Sequence, residues 1–295
     1  MESSAVSFNP NRAQKEAIFH KPSPLMILAG AGTGKTTTLL NRILHFIQNE
    51  NVQPETILLL TFTDKTTSEI TNRIKEIIGK SADKITISTF HGFCNTLVRE
   101  QNFSPNAEKI LWQTDDIIYF FINHFDKLDF ITSSSFLTNP YTAITKSFIP
   151  FIDRIRDELI SPDQLNDHYQ TTKIFEENFH HHFPNMHKDC DCKDCINQLS
   201  DLINIFDYYQ KEKHKMGVVD YGDMILDCWN MLNSDSIVIN NIRKRYRHIF
   251  IDEYQDNNYA LNKIINFIAG SKPSITVVGD EDQCIYSFRG ANYYN

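Results

Sequence analysis

Short apolar runs alternate with longer amphipathic segments near both ends of the chain. The runs lie at residues 25–28, 57–62, 85–88, 248–253 and 275–280. The run at 57–62 is continuous (I-L-L-L-T-F), which is typical of a strand buried on both faces of a sheet. We therefore predict a strand at each of these five positions, the last two ending in acidic residues.

The segments between the runs have the periodicity of helices. After the first run, leucine and isoleucine recur at three- and four-residue intervals, at Leu39, Leu40, Ile43, Leu44 and Ile47. Similar spacing predicts helices over 66–78 and 90–99, and Asn11 can cap a short helix ahead of the first strand. Strands that alternate with helices at this interval predict a parallel sheet in an α/β fold.

The middle of the chain differs in character. It has little strand pattern, and prolines divide it into short helical segments, of which 115–125 and 196–215 are rich in aromatic residues. We predict a mostly helical subdomain over 103–215, inserted into an α/β domain formed by 1–102 and 216–295. The aromatic stripes of the subdomain are expected to form its core and not a base-stacking surface.

Composition adds three constraints. The chain has 295 residues, 41% of them hydrophobic, which suits one or two domains with substantial cores. No run approaches the ~18 apolar residues of a membrane span, and the start lacks a signal-peptide pattern, so we expect a cytoplasmic protein with reduced cysteines. The net charge is −8, and most of the acidity lies in the middle third, so any contact with a nucleic-acid backbone should be local.

The sequence A-G-A-G-T-G-K-T-T joins the first predicted strand to the helix after it. Glycines let backbone N–H groups curl around an anion, and a helix N-terminus adds positive potential. In such a loop the lysine reaches the β- and γ-phosphates, and the neighbouring hydroxyl binds Mg²⁺. We predict a nucleoside triphosphate site at Ala29, Gly30, Ala31, Gly32, Thr33, Gly34, Lys35, Thr36 and Thr37. The alternative is a chance glycine-rich turn, since Ala29 stands where the strict pattern has glycine.

Two carboxylates, Asp252 and Glu253, end a predicted strand, as expected of the partner of a phosphate loop. Asp252 is predicted to hold Mg²⁺, directly or through water, opposite Thr36. Glu253 is predicted to orient or deprotonate the water that attacks the γ-phosphate. The alternative, a solvated strand end, is disfavoured by the phosphate loop upstream.

Several motifs occur in the order and spacing of one enzyme family. They are N-x-x-Q at 11–14, the phosphate loop, T-F-T-D-K at 61–65, S-T-F-H-G-F-C at 88–94, V-D-Y-G-D-M-I at 219–225, D-E-Y-Q-D at 252–256 and V-V-G-D-E-D-Q-C-I-Y-S-F-R-G-A at 277–291. Together they closely resemble the UvrD/Rep/PcrA-like superfamily 1 DNA helicases. The resemblance implies a RecA-like phosphate-loop domain, interrupted by the helical insertion.

The resemblance also implies roles around the nucleotide. Gln14 would read the adenine edge, which explains a preference for ATP. The expected cofactors of such a site are ATP and Mg²⁺. Arg42, in the helix after the loop, would help to hold the nucleotide. Gln283 would sense the γ-phosphate and join Lys35, Asp252 and Glu253 in catalysis. Arg289 would contact the same phosphate or link the ATP site to the DNA groove.

Single-stranded or partly duplex DNA is the partner that the resemblance implies. Phe62, Tyr286 and Phe288 would stack on bases, which suits a translocating enzyme because every base has a π-face. The phosphate backbone would be contacted by Thr61, Thr63 and His91. The alternative for Phe62, and for Phe90, is an ordinary core position at a strand end.

The resemblance further implies a second RecA-like domain, which supplies an arginine finger and more of the DNA track. We expect this chain to be the first motor domain of a 3′–5′ helicase, to bind ATP, to hydrolyse it slowly and not to unwind DNA alone. Two other functions stay open. One is a phosphate-loop ATPase or kinase that acts on a small molecule, and the other is a non-enzymatic module that binds nucleotide or a partner protein.

A cluster of histidine and cysteine occupies residues 180–195. Cys190, Cys192 and Cys195, with His187 or one of 180–182, have the residue types of a tetrahedral Zn²⁺ site. Their C-x-C-x-x-C spacing is not a paired knuckle, so a polar, acidic loop is the preferred interpretation. The remaining cysteines, Cys94, Cys228 and Cys284, are expected to be buried thiols.

Overall fold

The computed structural model describes residues 9–104, 109–182, 192–271 and 274–280. The chain divides into two compact units, residues 1–101 with 228–295, and residues 102–227. The first boundary lies within one residue of the predicted one, whereas the second lies later in the chain than predicted. The assignment of motor domain and insertion stays a prediction.

The first unit contains a five-stranded, fully parallel sheet, as the sequence pattern predicts. With strands numbered along the whole chain, its members are β1 (Leu25–Leu28), β2 (Ile57–Thr61), β3 (Thr86–Thr89), β6 (His248–Ile251) and β7 (Ser274–Gly279). Their order is β1-β7-β6-β2-β3. Asp252 and Glu253 lie beyond the end of β6, because the chain turns there into a loop.

Helices lie between consecutive strands of this unit, as a parallel sheet requires, and one further helix precedes β1. They are α1 (Arg12–Phe19), α2 (Lys35–Gln48), α3 (Asp64–Ile78), α4 (Phe90–Glu100), α12 (Ser236–Arg245) and α13 (Tyr259–Ala269). Helix α11 (Tyr221–Ser234) contains the division between the units. As predicted, Asn11 caps α1, with Gln14 completing a capping box.

Alternate residues of the central strands face opposite layers of helices. On one face, Ile57 and Leu59 of β2 pack with side chains of α2 and α3. On the other face, Leu58 and Leu60 line a small apolar cavity with residues of α4 and α13. The whole of β2 is therefore buried, which explains its unbroken apolar run.

The second unit is mostly helical and has its own aromatic core. Its helices are α5 (Thr114–His124), α6 (Ser134–Thr138), α7 (Pro140–Ala143), α8 (Ile149–Asp157), α9 (Pro162–His182) and α10 (Cys192–Met216), with a π-helical turn (Ile144–Phe148) between α7 and α8. Phe120, Phe121, Phe148, Phe206 and Tyr209 pack together in the core, so the predicted core role of the aromatic stripes is confirmed. None of the described helices is long and apolar enough to cross a membrane.

The sequence pattern did not predict a small parallel sheet in the second unit. It pairs β4 (Ile110–Trp112) with β5 (Val218–Asp220). Strands of three residues carry too little periodicity to be recognised from sequence.

A buried ion cluster follows β5 and explains the V-D-Y-G-D motif. Arg156 and Lys213 both pair with Asp220 and Asp223. Burial alone would raise the pKa of Asp220, but the two cations hold this pKa below its ordinary value. The two carboxylates also accept each other's backbone N–H at the start of α11. A Cβ at Gly222 would collide with Arg156, so glycine leaves room for this cluster.

Candidate nucleotide-binding site

The predicted site residues lie at one edge of the five-stranded sheet. Because its strands are parallel, their carboxyl ends meet there. The loops that follow β1, β6 and β7 bring residues 29–34, 252–253 and Asp280 to this edge. The loop after β2 brings Phe62 to the same edge, and the first turn of α4, directly after β3, brings His91 there.

Two glycines shape the phosphate loop. Gly32 and Gly34 have φ values of 69° and 86°, in the left-handed region that favours glycine. Gly34 is the N-cap of α2, and Lys35 begins the helix. The Thr33 hydroxyl donates to the Gly30 carbonyl at 2.7 Å, which closes the turn. A loop of this form directs backbone N–H groups and a helix N-terminus to one point, as anion binding requires.

The structure accounts for alanine at position 29. Ala29 is not among the residues with positive φ, and its N–H donates to the Gly279 carbonyl at 3.1 Å. The position therefore needs no glycine for backbone reasons. The departure from the strict loop pattern leaves the loop conformation intact.

The loop and the acidic strand end meet through two side-chain pairs. Lys35 Nζ donates to Glu253 Oε2 at 3.1 Å, and Thr36 Oγ1 donates to Asp252 Oδ2 at 2.9 Å. Lys35 and Asp252 are buried, 8% and 1% exposed. Burial, and then the charge of Glu253, raises the pKa of Asp252, while Thr36 and Lys35 oppose the rise.

The Thr36 and Asp252 oxygens fit the requirements of Mg²⁺. The ion takes oxygen ligands and needs few from the protein, because water and phosphate oxygens supply the rest. A cation would also favour the ionised form of Asp252, whose pKa burial raises. Among the side chains that the structure describes, no three His, Cys, Asp or Glu are grouped as a metal site. One carboxylate and one hydroxyl suit a site that shares its metal with a nucleotide.

The turn after β6 contains two polar residues that the sequence reasoning missed. Glu253 is left-handed (φ 51°, ψ 50°) and begins a short 3₁₀ turn, Tyr254–Asp256. The turn brings Gln255 Nε2 to Glu253 Oε2 at 2.8 Å. Asp256 Oδ1 is buried without a hydrogen-bond partner among the described residues, and burial, with the charge of Glu253, raises the Asp256 pKa to about 6. The motif D-E-Y-Q-D contains both residues, just after the two carboxylates that the sequence predicts to act on the metal and the water.

Gln14 lies beside the phosphate loop. Its Nε2 donates to the Thr33 carbonyl at 3.0 Å, and its Oε1 accepts the Asn11 N–H at 2.8 Å. Gln14 therefore joins the N-terminus of α1 to the phosphate loop. Its contact with adenine stays a prediction.

Arg42 occupies a different place from the predicted one. Its side chain is fully buried and donates to Thr276 Oγ1, and to the carbonyls of Ala17, Ile18, His20 and Lys21. Burial lowers the pKa of Arg42 to about 10. These contacts correct the expectation of a nucleotide contact, because they direct the guanidinium towards the end of α1 and β7. Arg42 holds α1 and β7 against α2.

The candidate DNA contacts differ in exposure. Thr61 is fully buried, and its hydroxyl bonds the Thr63 carbonyl and the Thr67 hydroxyl, so its side chain does not face outward as a backbone contact requires. Thr63 is exposed and caps α3. Phe62 and His91 are half-buried, and Phe90 is a core residue at 4% exposure.

Several predicted residues lie outside the described part of the chain. Gln283, Cys284, Tyr286, Phe288 and Arg289 belong to one such segment, and His187 and Cys190 to another. Cys192 and Cys195 lie within α10, and their side chains are not described. Cys94 and Cys228 are buried free thiols, as expected.

Comparisons with known proteins agree with this geometry. Residues 10–295 match the family model of the UvrD/REP helicase N-terminal domain. A "Probable DNA helicase II homolog" of Mycoplasma genitalium is 31% identical over 285 residues, which cover 95% of this chain and 37% of the relative. The ATP-dependent DNA helicase PcrA of Staphylococcus epidermidis is 28% identical over 302 residues, covering 99% of this chain and 36% of the relative.

The PcrA of Staphylococcus aureus gives similar values, 28% identity over 297 residues, with 97% of this chain and 35% of the relative covered. The chain thus spans about a third of the length of these relatives. The family match includes both the phosphate loop and the acidic strand end that meet in the fold. The chain belongs to the UvrD/REP helicase N-terminal domain family.

Proposed function

We propose that this chain is the ATP-binding motor domain of a DNA helicase, which hydrolyses ATP to move along single-stranded DNA. The observation that carries the proposal is the convergence of Lys35 with Glu253 and of Thr36 with Asp252, at 3.1 and 2.9 Å. These four side chains have the chemistry of a phosphate-loop ATPase. The PcrA relatives are named as ATP-dependent DNA helicases.

In the proposed complex, the loop N–H groups and the N-terminus of α2 bind the β- and γ-phosphates. Lys35 leaves its ion pair with Glu253 and binds a γ-phosphate oxygen instead. Gln14, which contacts the loop through the Thr33 carbonyl, meets the adenine edge and selects ATP. Gln283 is proposed to sense the γ-phosphate, and Arg289 to contact that phosphate or to link the ATP site to the DNA groove.

Thr36 and Asp252 would hold Mg²⁺ through the oxygens that now form their hydrogen bond. Bound there, the ion would neutralise negative charge on the β- and γ-phosphates. Glu253 orients the attacking water and accepts its proton. Its side chain is 34% exposed, so water can reach the carboxylate.

A second RecA-like domain is the proposed partner that completes the site. An arginine finger contributes about 10³–10⁵ in rate in related phosphoryl-transfer enzymes. We therefore expect this domain alone to bind ATP well and hydrolyse it slowly. ATP-driven closure against the second domain would then move the DNA contacts.

DNA is proposed to cross the edge formed by the ends of β2 and β3. Phe62 and His91 are partly accessible there, and Thr63 is exposed. Tyr286 and Phe288 are proposed to add stacking platforms. The 3′–5′ direction is proposed on the family resemblance.

The proposal is tested by measuring ATP turnover with and without a single-stranded oligonucleotide, together with the melting shift caused by MgATP. We expect a melting shift, and turnover that the oligonucleotide stimulates once a second RecA-like domain is supplied. ATP turnover that is the same with and without DNA would indicate an ATPase or kinase that acts on a small molecule. Tight ATP binding without turnover, even with the second domain, would indicate a non-enzymatic module.

A further inference from the structure

A glutamine side chain links Glu253 to the end of β7. Gln255 Nε2 donates to Glu253 Oε2 at 2.8 Å, and Gln255 Oε1 accepts the backbone N–H of Asp280 at 3.1 Å. Both polar atoms of this amide are therefore bonded, one to each side of the site. From these contacts we infer that Gln255 is the positioning residue of Glu253, an inference that rests on the function proposed above.

The chemistry of the two neighbours fixes the orientation of the amide. A carboxylate only accepts hydrogen bonds, and a backbone N–H only donates. The amide oxygen must therefore face Asp280, and the amide nitrogen must face Glu253. The flipped amide would lose both bonds, so the nitrogen is held towards the carboxylate.

Glycine at position 279 makes this arrangement possible. A Cβ there would lie 2.9 Å from Gln255 Oε1 and 3.7 Å from the Tyr254 Cβ. Any side chain at this position would displace the amide from the Asp280 N–H. The end of β7 and the turn after β6 are thus fitted to each other around Gln255.

The link determines which oxygen of Glu253 faces the reaction. Lys35 and Gln255 both bond Oε2, and Oε1 accepts no hydrogen bond among the described residues. When Lys35 moves to a γ-phosphate, Gln255 remains to hold Oε2. Oε1 is then directed at the water, and it takes the proton. Gln255 itself exchanges no proton.

Two substitutions separate positioning from a purely structural role. Gln255→Ala removes both bonds. Gln255→Glu keeps an acceptor for the Asp280 N–H, but it replaces the donor to Glu253 with a repelling oxygen. Gln48→Ala, on the exposed end of α2, is the matched control.

The test measures single-turnover hydrolysis of ATP. The chain is in molar excess over ATP, and Mg²⁺ and a single-stranded oligonucleotide are present. We expect both Gln255 variants to keep the MgATP melting shift and to lose about 10²-fold in rate, the cost of a misplaced reacting group. Gln48→Ala should match wild type. In a Glu253→Gln background, Gln255→Ala should cost nothing further, because it acts through Glu253.

Three outcomes would overturn the inference: wild-type rates in both Gln255 variants, an additive loss in the double variant, or a loss confined to Gln255→Ala. Absence of the melting shift in wild type would instead overturn the proposed function. Proton exchange of the Gln255 side-chain amide gives a measurement independent of turnover. It should be slow in wild type and fast in Glu253→Ala, and equal rates in the two proteins would refute the link.

Discussion

Lys35 and Glu253 are 218 positions apart in the sequence, and their side chains lie 3.1 Å from each other. Lys35 is buried at the start of α2, so its charge needs a partner, and the carboxylate after β6 supplies one. The same ammonium is the group that must reach a γ-phosphate. Under the proposed function, ATP binding therefore exchanges one partner of Lys35 for another and releases Glu253.

Replacing Lys35 by alanine should abolish the stabilisation that MgATP gives the protein, because the γ-phosphate loses its cation. The measurement is the melting temperature with and without MgATP. Lys80→Ala, at an exposed position in the same unit, should keep the full shift. An unchanged shift in Lys35→Ala would place the nucleotide elsewhere.

Replacing Glu253 by glutamine should preserve ATP affinity and reduce turnover by about 10²–10⁴-fold, because the amide cannot accept the proton of water. Binding and turnover are measured separately, by titration and by phosphate release. Glu69→Gln, exposed on α3, is the control. Undiminished turnover would show that another group is the base.

Replacing Arg42 by lysine should destabilise the protein by about 1–3 kcal/mol, because an ammonium cannot serve the five oxygens that the guanidinium bonds. Chemical denaturation measures the loss, and the MgATP melting shift should persist. Arg73→Lys, on the exposed face of α3, should be neutral. A variant that stays stable but binds ATP more weakly would indicate that Arg42 contacts the nucleotide.

Asp256 should make stability depend on pH. Its pKa in the folded protein is raised from 3.8 to about 6, so its ionised form costs stability above pH 6, and this cost disappears as pH falls towards 4. Asp256→Asn should therefore stabilise the protein at pH 8 by about 1 kcal/mol, after allowance for partial exposure, and have little effect at pH 4. Denaturation at both pH values measures this, with exposed Glu76→Gln as control. Equal changes in stability at the two pH values would contradict the raised pKa of Asp256.

Replacing Tyr286 by alanine should weaken binding of single-stranded DNA by about 1–3 kcal/mol with little base preference, the value of one stacking platform. Fluorescence anisotropy with oligonucleotides of different composition measures both properties. Tyr119→Ala, at 70% exposure in the helical unit, is the control. Unchanged affinity for single-stranded DNA would indicate that Tyr286 is a core residue and not a DNA contact.

The strands and the phosphate loop could be predicted because their signals are local. An unbroken apolar run such as 57–62 indicates burial on both faces, and glycines before Lys35 indicate a turn that other residues resist. The predicted strand at 248–253 extends too far, because β6 ends at Ile251, before the two carboxylates that follow it. The short strand β4 carried no usable periodicity.

The misassigned residues share one cause. Arg42 and Thr61 have side chains that suit phosphate, but their burial depends on packing between distant elements. Gln255 was missed for the converse reason, because its function depends on Asp280, which approaches only when β6 and β7 pair.

The sequence by itself determined the α/β class, the phosphate loop and the two carboxylates, since periodicity and residue chemistry are local properties. Only the tertiary structure decided which of these groups meet. The order of parallel strands brings Lys35 to Glu253 and Thr36 to Asp252, turns Arg42 into the interior and bonds Gln255 across the site. Such contacts join residues far apart in the chain, and their geometry is fixed by packing and by hydrogen bonds between strands.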